Sequence, residues 1–84
     1  MQLIVRYTHA DPATFRTGFD ADAEDRGRNG LTLLQLWRED DSSVWALFQV
    51  NDAKAARAYL STGSAAFSAQ AGVSATDFHF VETA

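Results

Sequence analysis

The sequence predicts an α+β fold: a four-stranded antiparallel sheet with two helices on one face, in the order βαββαβ. Three observations carry this. The stretches QLIVRYTH (2–9), LTLLQLWR (31–38), VWALFQV (44–50) and ATDFHFVET (75–83) are short and rich in β-branched and aromatic residues, as strands are. The two longer segments between them repeat apolar residues at helical spacing. The middle two stretches are separated only by the polar run EDDSS, which makes them an antiparallel hairpin.

In chain order, the first strand runs into the turn ADP. Asp11 before Pro12 marks a helix start, because the carboxylate accepts from free amides of the first turn and proline loses nothing at the first helical position. Phe15, Phe19 and Ala23 recur every fourth residue and predict a helix from about Pro12 to Arg28, ended by Asn29-Gly30. Gly18 inside it costs up to about 1 kcal/mol relative to alanine. After the hairpin, Asn51 or Asp52 caps a second helix with Ala56, Tyr59, Leu60 and Phe67 roughly on one side. STGS (61–64) is expected to kink or interrupt this helix, and Gly72 to end it. The result is a doubled split unit of the ferredoxin-like type, one domain over residues 1–84.

Centring the hairpin on Asp41 sets Trp37 opposite Trp45, Gln35 opposite Leu47 and Leu33 opposite Gln49, all on one face because side chains alternate with period two. The other face, with Leu34, Leu36, Val44, Ala46, Phe48 and Val50, is wholly apolar and is the one the helices cover. Leu3, Val5, Tyr7, Phe78 and Phe80 join it. The helix-free face keeps Ile4, Arg6, Leu33, Gln35, Trp37, Trp45, Leu47, Gln49, His79 and Val81. An uncovered face with two tryptophans and several aliphatics is a large apolar patch, and such patches mark an interface or a ligand groove. The expected partner is a second copy of the chain, sheet against sheet.

Composition narrows the function classes. A net charge of −4, with the six arginines scattered, repels a phosphate backbone and argues against nucleic-acid binding. The absence of cysteine removes disulfides, thiolate metal sites and cysteine nucleophiles, and fits a cytoplasmic location. No run approaches the ~20 apolar residues of a membrane span, and the N-terminus lacks the features of a signal peptide. With 46% hydrophobic residues and a single proline, the chain has the apolar material to fold.

His79 and His9 are the acid/base candidates, since histidine alone among side chains ordinarily titrates close to neutrality. The simpler structural reading puts His9 at an exposed strand end and His79 on the barrel face, bonded to a neighbour. Arg6 needs a carboxylate, carbonyls or an anionic ligand to offset its desolvation, and pairing across a dimer is the expected solution. Tyr7 and Tyr59 either line a pocket between sheet and helices or fill the core. Asp20, Asp22, Glu24 and Asp25 read as a solvated helix face, without the spacing of a calcium loop. No serine triad, phosphate loop or metal pattern is present. The candidate set for a ligand pocket or dimer face is therefore Arg6, Tyr7, Gln35, Trp37, Trp45, Gln49, Tyr59 and His79, with no metal and no cofactor.

The segments VRYTHADPATFRTGFDADAEDRG, GLTLLQLWREDDSSVWALFQVNDAKAARAYL and AGVSATDFHFVE together resemble the dimeric α+β-barrel superfamily, and within it the small antibiotic-biosynthesis-monooxygenase-like or "cyclase-like" proteins. The resemblance covers nearly the whole chain. It implies a homodimer whose sheets close a barrel, with a pocket in each subunit between sheet and helices. It also implies a range of activities, from cofactor-free oxygenation of aromatic polyketides to haem degradation and isomerisation, so fold alone does not transfer one. The haem-degrading branch uses a histidine on the second helix and an asparagine on the first strand; neither is present here. In the oxygenase branch a tryptophan assists the substrate, and Trp37 or Trp45 loosely resembles it. Three functions follow: a homodimer binding a small apolar or aromatic ligand, a cofactor-independent monooxygenase or isomerase, and a structural or regulatory dimer with no ligand. Whether the chain is an enzyme stays open at this level.

Overall fold

The computed structural model describes residues 1–84. Strands β1 (Gln2–His9), β2 (Leu31–Asp40), β3 (Ser43–Val50) and β4 (Val73–Val81) form one antiparallel sheet in the order β2-β3-β1-β4. Helices α1 (Pro12–Ala21) and α2 (Ala23–Arg28) connect β1 to β2; α3 (Ala53–Ala58), a π-helical turn (Tyr59–Gly63) and α4 (Ala65–Ala71) connect β3 to β4. This is the ferredoxin-like α+β architecture expected from the sequence. No helix is long and apolar enough to cross a membrane.

The helix ends follow their side chains. Asp11 accepts from the Thr14 amide at 2.8 Å and Asp52 from the Ala55 amide at 3.0 Å, each satisfying a first-turn donor. Gly72 closes α4 at φ 67°, and Gly30 turns the chain into β2 at φ 78°. Residues 61–64 do interrupt the second helix, through the π turn. The first helix, expected to run unbroken to Arg28, instead breaks at Asp22, whose carboxylate meets Tyr59 and Arg26. As a result Ala23 leaves the apolar stripe and is exposed, while Arg26 is buried.

The tryptophans face each other as expected, with Trp37 opposite Trp45 and Gln35 opposite Leu47. The register then slips at Leu34, so that Leu33 pairs with Phe48 and Thr32 with Gln49. This bulge corrects two placements. Leu33 moves to the face of Phe48, and Leu34 falls outside the ladder at 49% exposure. The loop expected at 39–43 is shorter: β2 continues to Asp40 and β3 starts at Ser43, because Asp40 accepts from the Ser42 amide at 2.9 Å and closes the turn with its own side chain.

The core lies between sheet and helices. Leu3, Val5, Tyr7, Ala46 and Phe48 pack against Phe15, Phe19, Ala56, Tyr59, Phe67 and Ala71, all buried. Tyr7 is ringed by Phe15, Phe19 and Phe67 at centroid distances of 5.4, 6.0 and 5.6 Å. Phe78 shares the face of Val5 but is 42% exposed, since β4 is an edge strand beyond full helical cover. Beside it, Phe80 is partly shielded by the Arg57 guanidinium 4.0 Å above its ring.

Candidate functional site

His9 ends β1, and the strand's alternation carries it to the covered face behind Leu3, Val5 and Tyr7. The structure overturns its expected exposure. The side chain is 3% exposed and stacks on Phe15 at 4.9 Å, and its Nδ1 is buried with no hydrogen-bond partner in the chain. Its amide donates to the Ser42 carbonyl at 2.8 Å, fixing the strand end against the hairpin turn. His9 lines a cavity of about 270 Å³ that opens between the start of α1 and the hairpin. Pro12, Phe15 and Arg16 wall it on the helix side; Leu36, Trp37, Arg38, Asp40 and Val44 wall it on the sheet side. The walls are thus apolar with a charged rim. Arg16 pairs with Asp20 at 3.0 Å and Arg38 with Asp41, while the Ser42 amide holds the Asp40 carboxyl below its ordinary range.

On the helix-free face, Arg6 and Trp45 converge on Glu39. The Arg6 Nε donates to Oε1 at 3.1 Å, the Trp45 indole donates to the same oxygen at 2.5 Å, and a second Arg6 nitrogen donates to Ser43 Oγ at 3.1 Å. The hydrogen bond from Arg6, and then that from Trp45, holds the Glu39 carboxyl below its usual range, and Glu39 raises Arg6 in return. Arg6 therefore has its carboxylate within the chain, where pairing across a dimer had been expected. Gln35 is exposed, Gln49 donates to the Met1 carbonyl at 3.2 Å, and His79 is exposed opposite Ile4.

Tyr7 and Tyr59 lie in the core. The space beside them is about 10 Å³, too little for a small molecule. The Tyr59 hydroxyl donates to Asp22 Oδ2, and burial first, then Asp22, pushes the phenol upward; burial does the same to Tyr7. Arg26 completes the cluster, 3.5 Å from Asp22, donating to the Phe19 carbonyl at 2.7 Å and lying 3.7 Å over the Phe19 ring. Asp22 thus departs from the solvated face assigned to its neighbours.

The structure consequently divides the sequence candidates. Trp37 and His9 share a cavity; Arg6 and Trp45 share a polar cluster on the open sheet face; Tyr7 and Tyr59 hold the core. The cavity's other walls, Pro12, Phe15, Arg16, Leu36, Arg38, Asp40 and Val44, were not among the sequence candidates. One signal for His9 was present in the strand itself: the parity that turns Leu3, Val5 and Tyr7 inward turns His9 inward too.

No family model matches the chain, and no curated protein is similar to it at a significant level. Among solved structures, SnoaB, a cofactor-independent oxygenase from Streptomyces nogalater, is 25% identical, with a TM-score of 0.70 over 99% of this chain and 92% of that one. The C-terminal domain of the MgtC protein from Mycobacterium tuberculosis is 23% identical, with a TM-score of 0.65 over 93% of this chain and 84% of that one. An uncharacterized NIPSNAP domain protein from Burkholderia xenovorans is 16% identical, with a TM-score of 0.55 over 100% of this chain and 95% of that one; these last two likenesses concern the fold alone. The sheet order, the helical cover and the likeness to SnoaB together show a ferredoxin-like α+β fold, one that fits the dimeric α+β-barrel superfamily and resembles its small antibiotic-biosynthesis-monooxygenase-like members.

Proposed function

We propose that the chain works as a homodimer that binds a small aromatic molecule in the cavity beside His9. The observation that carries this reading is the cavity itself. At about 270 Å³ it lies near the lower end of small-molecule sites, and Phe15, Leu36 and Val44 offer a ligand flat apolar walls. Beside Tyr7 and Tyr59 the aromatic rings fill the space, whereas a second opening of about 520 Å³ between α1, α2 and the start of β2 is lined by Phe19, Leu31 and Leu33 together with Asp20 and Arg26, so the test must tell the two places apart. In titrations with 1-naphthol followed by tryptophan fluorescence, we expect saturable quenching through Trp37, and its loss in Val44→Phe, which fills the cavity. Quenching that survives Val44→Phe unchanged would place the ligand elsewhere.

The likeness to SnoaB favours a second reading, in which the bound aromatic is oxygenated without a cofactor. For an anthrone the step balances with dioxygen alone. One oxygen atom replaces the two hydrogens of the ring methylene as a ketone oxygen, and the other leaves as water with those two hydrogens. An oxygen electrode with anthrone as substrate tests it. Uptake of one dioxygen per quinone formed supports oxygenation, and no uptake above the uncatalysed rate removes it.

The dimer reading rests on the helix-free face, where Ile4, Trp45 and Leu47 are only partly covered and Trp37 is 48% exposed in a single chain.

A further inference from the structure

We propose that the ligand of this cavity is an aromatic carboxylic acid, its ring against Phe15, Leu36 and Val44 and its carboxylate at the mouth between Arg16 and Arg38. The inference rests on the ligand-binding reading above. Phe15 and Val44 are buried, whereas both arginine side chains are exposed, so the cavity has an apolar floor and a charged mouth. The two arginines come from opposite walls. Arg16 lies one helical turn beyond Pro12 on α1, and Arg38 lies two residues beyond Leu36 on β2, opposite Val44. Arg38 thus shares a sheet face with Leu36, Val44, Ala46 and Phe48, a charge at the end of an apolar row.

The sign of the lining favours an anion. In a chain of net charge −4, the side chains that wall the cavity include two arginines and one carboxylate, Asp40. Asp40 is committed to the hairpin turn, where its Oδ1 accepts from the Ser42 amide at 2.9 Å and from the Ser42 hydroxyl at 3.2 Å. The arginines' own partners, Asp20 and Asp41, lie outside the lining and leave most of each guanidinium unused. Arg16 reaches Asp20 through Nε, so both its terminal nitrogens have no hydrogen bond in the chain; Arg38 reaches Asp41 through one terminal nitrogen, which leaves Nε and the other. Exposed pairs of this kind contribute little, so neither holds its arginine against a ligand. A carboxylate is ionised at neutral pH and accepts two parallel N–H bonds from such a planar fork. An aromatic hydroxyl, neutral at the same pH, offers one oxygen and no charge.

Calorimetric titration with 2-naphthoate, and with its methyl ester as the uncharged analogue of the same ring, separates the charge from the apolar contact. At neutral pH and low salt the acid should bind roughly tenfold more tightly than the ester, the scale of a hydrogen bond to a charged group. Arg16→Gln and Arg38→Gln, both at exposed positions, should each reduce that preference and together abolish it, while the ester binds as it does to the wild type. Molar salt should shrink the preference in the same way. Val44→Phe should remove binding of both probes. Equal affinity for acid and ester overturns the proposal and leaves ligand binding standing. A preference for the acid that persists in the double variant or in Val44→Phe places the carboxylate elsewhere, as at Arg26 in the second opening, and also overturns it. No binding of either probe overturns both readings.

Discussion

Asp22 shows how much one side chain decides. It breaks the first helix, accepts the Tyr59 hydroxyl and offsets the buried Arg26, so three elements meet at one carboxylate. Removing one partner of a mostly buried ion pair strands the other charge, which costs about 3–5 kcal/mol; with Asp22 itself partly exposed we expect the lower end for Asp22→Asn. Urea unfolding measures this, and a loss below about 0.5 kcal/mol, typical of an ordinary surface change, would contradict the assignment. Glu39 makes a contrasting case, since its pair with Arg6 is exposed and contributes little at neutral pH. Its carboxyl is held down in the folded chain, so its contribution is complete above the ordinary value of 4.5 and is lost as pH falls through the lower folded value. An acid titration of Trp45 fluorescence should therefore show a transition below that value in the wild type and none in Glu39→Gln.

At the scale of elements, Gly18 is the clearest constraint. A Cβ at this position would lie 2.8 Å from the Cα and Cβ of Ala71, so α1 and α4 touch where both residues are small. Gly18→Ala improves helix propensity by about 1 kcal/mol, yet it forces the helices apart, and overpacking of that kind costs about 1–3 kcal/mol. We expect a net fall in thermal stability, and a rise in Tm would show that the helices separate freely. The alanine and serine bias of the second helix was legible as a sign of close packing, although its partner on α1 was not. The bulge at Leu34 belongs to the same scale. Strict alternation along LTLLQLW assigns Leu33 to the open face, and one unpaired residue moves it to the other side. Nothing in the local pattern of apolar residues marks where such an extra residue sits.

The open sheet face is a property of the whole molecule. Ile4, Trp37, Trp45 and Leu47 lie together on it only because β1, β2 and β3 are neighbours in the order β2-β3-β1-β4. If two such faces meet, light scattering at micromolar concentration should give twice the chain mass, and Leu47→Lys should give one chain mass with the circular dichroism of the wild type. A wild-type protein that scatters as a single chain would end the dimer reading. Dilution through the dissociation range should also shift tryptophan emission to the red, since both indoles would gain water.

The sequence by itself determined the elements, their order and the apolar face of the sheet, because alternation, capping residues and turn residues act over a few positions. It also set Trp37 opposite Trp45, a pairing that holds although the turn is tighter than expected, because a second register shift, between Arg38 and Asp40, compensates for the shorter turn. Only the tertiary structure decided what those residues do. Trp37 joins the wall of a cavity and Trp45 a carboxylate cluster, though they are paired across one ladder. The same holds for His9, whose inward direction follows from strand parity but whose unpartnered nitrogen and apolar cavity depend on where α1 and the hairpin turn come to rest. Periodicity is local and survives in a sequence; a cavity is what distant segments leave between them, and no single segment encodes it.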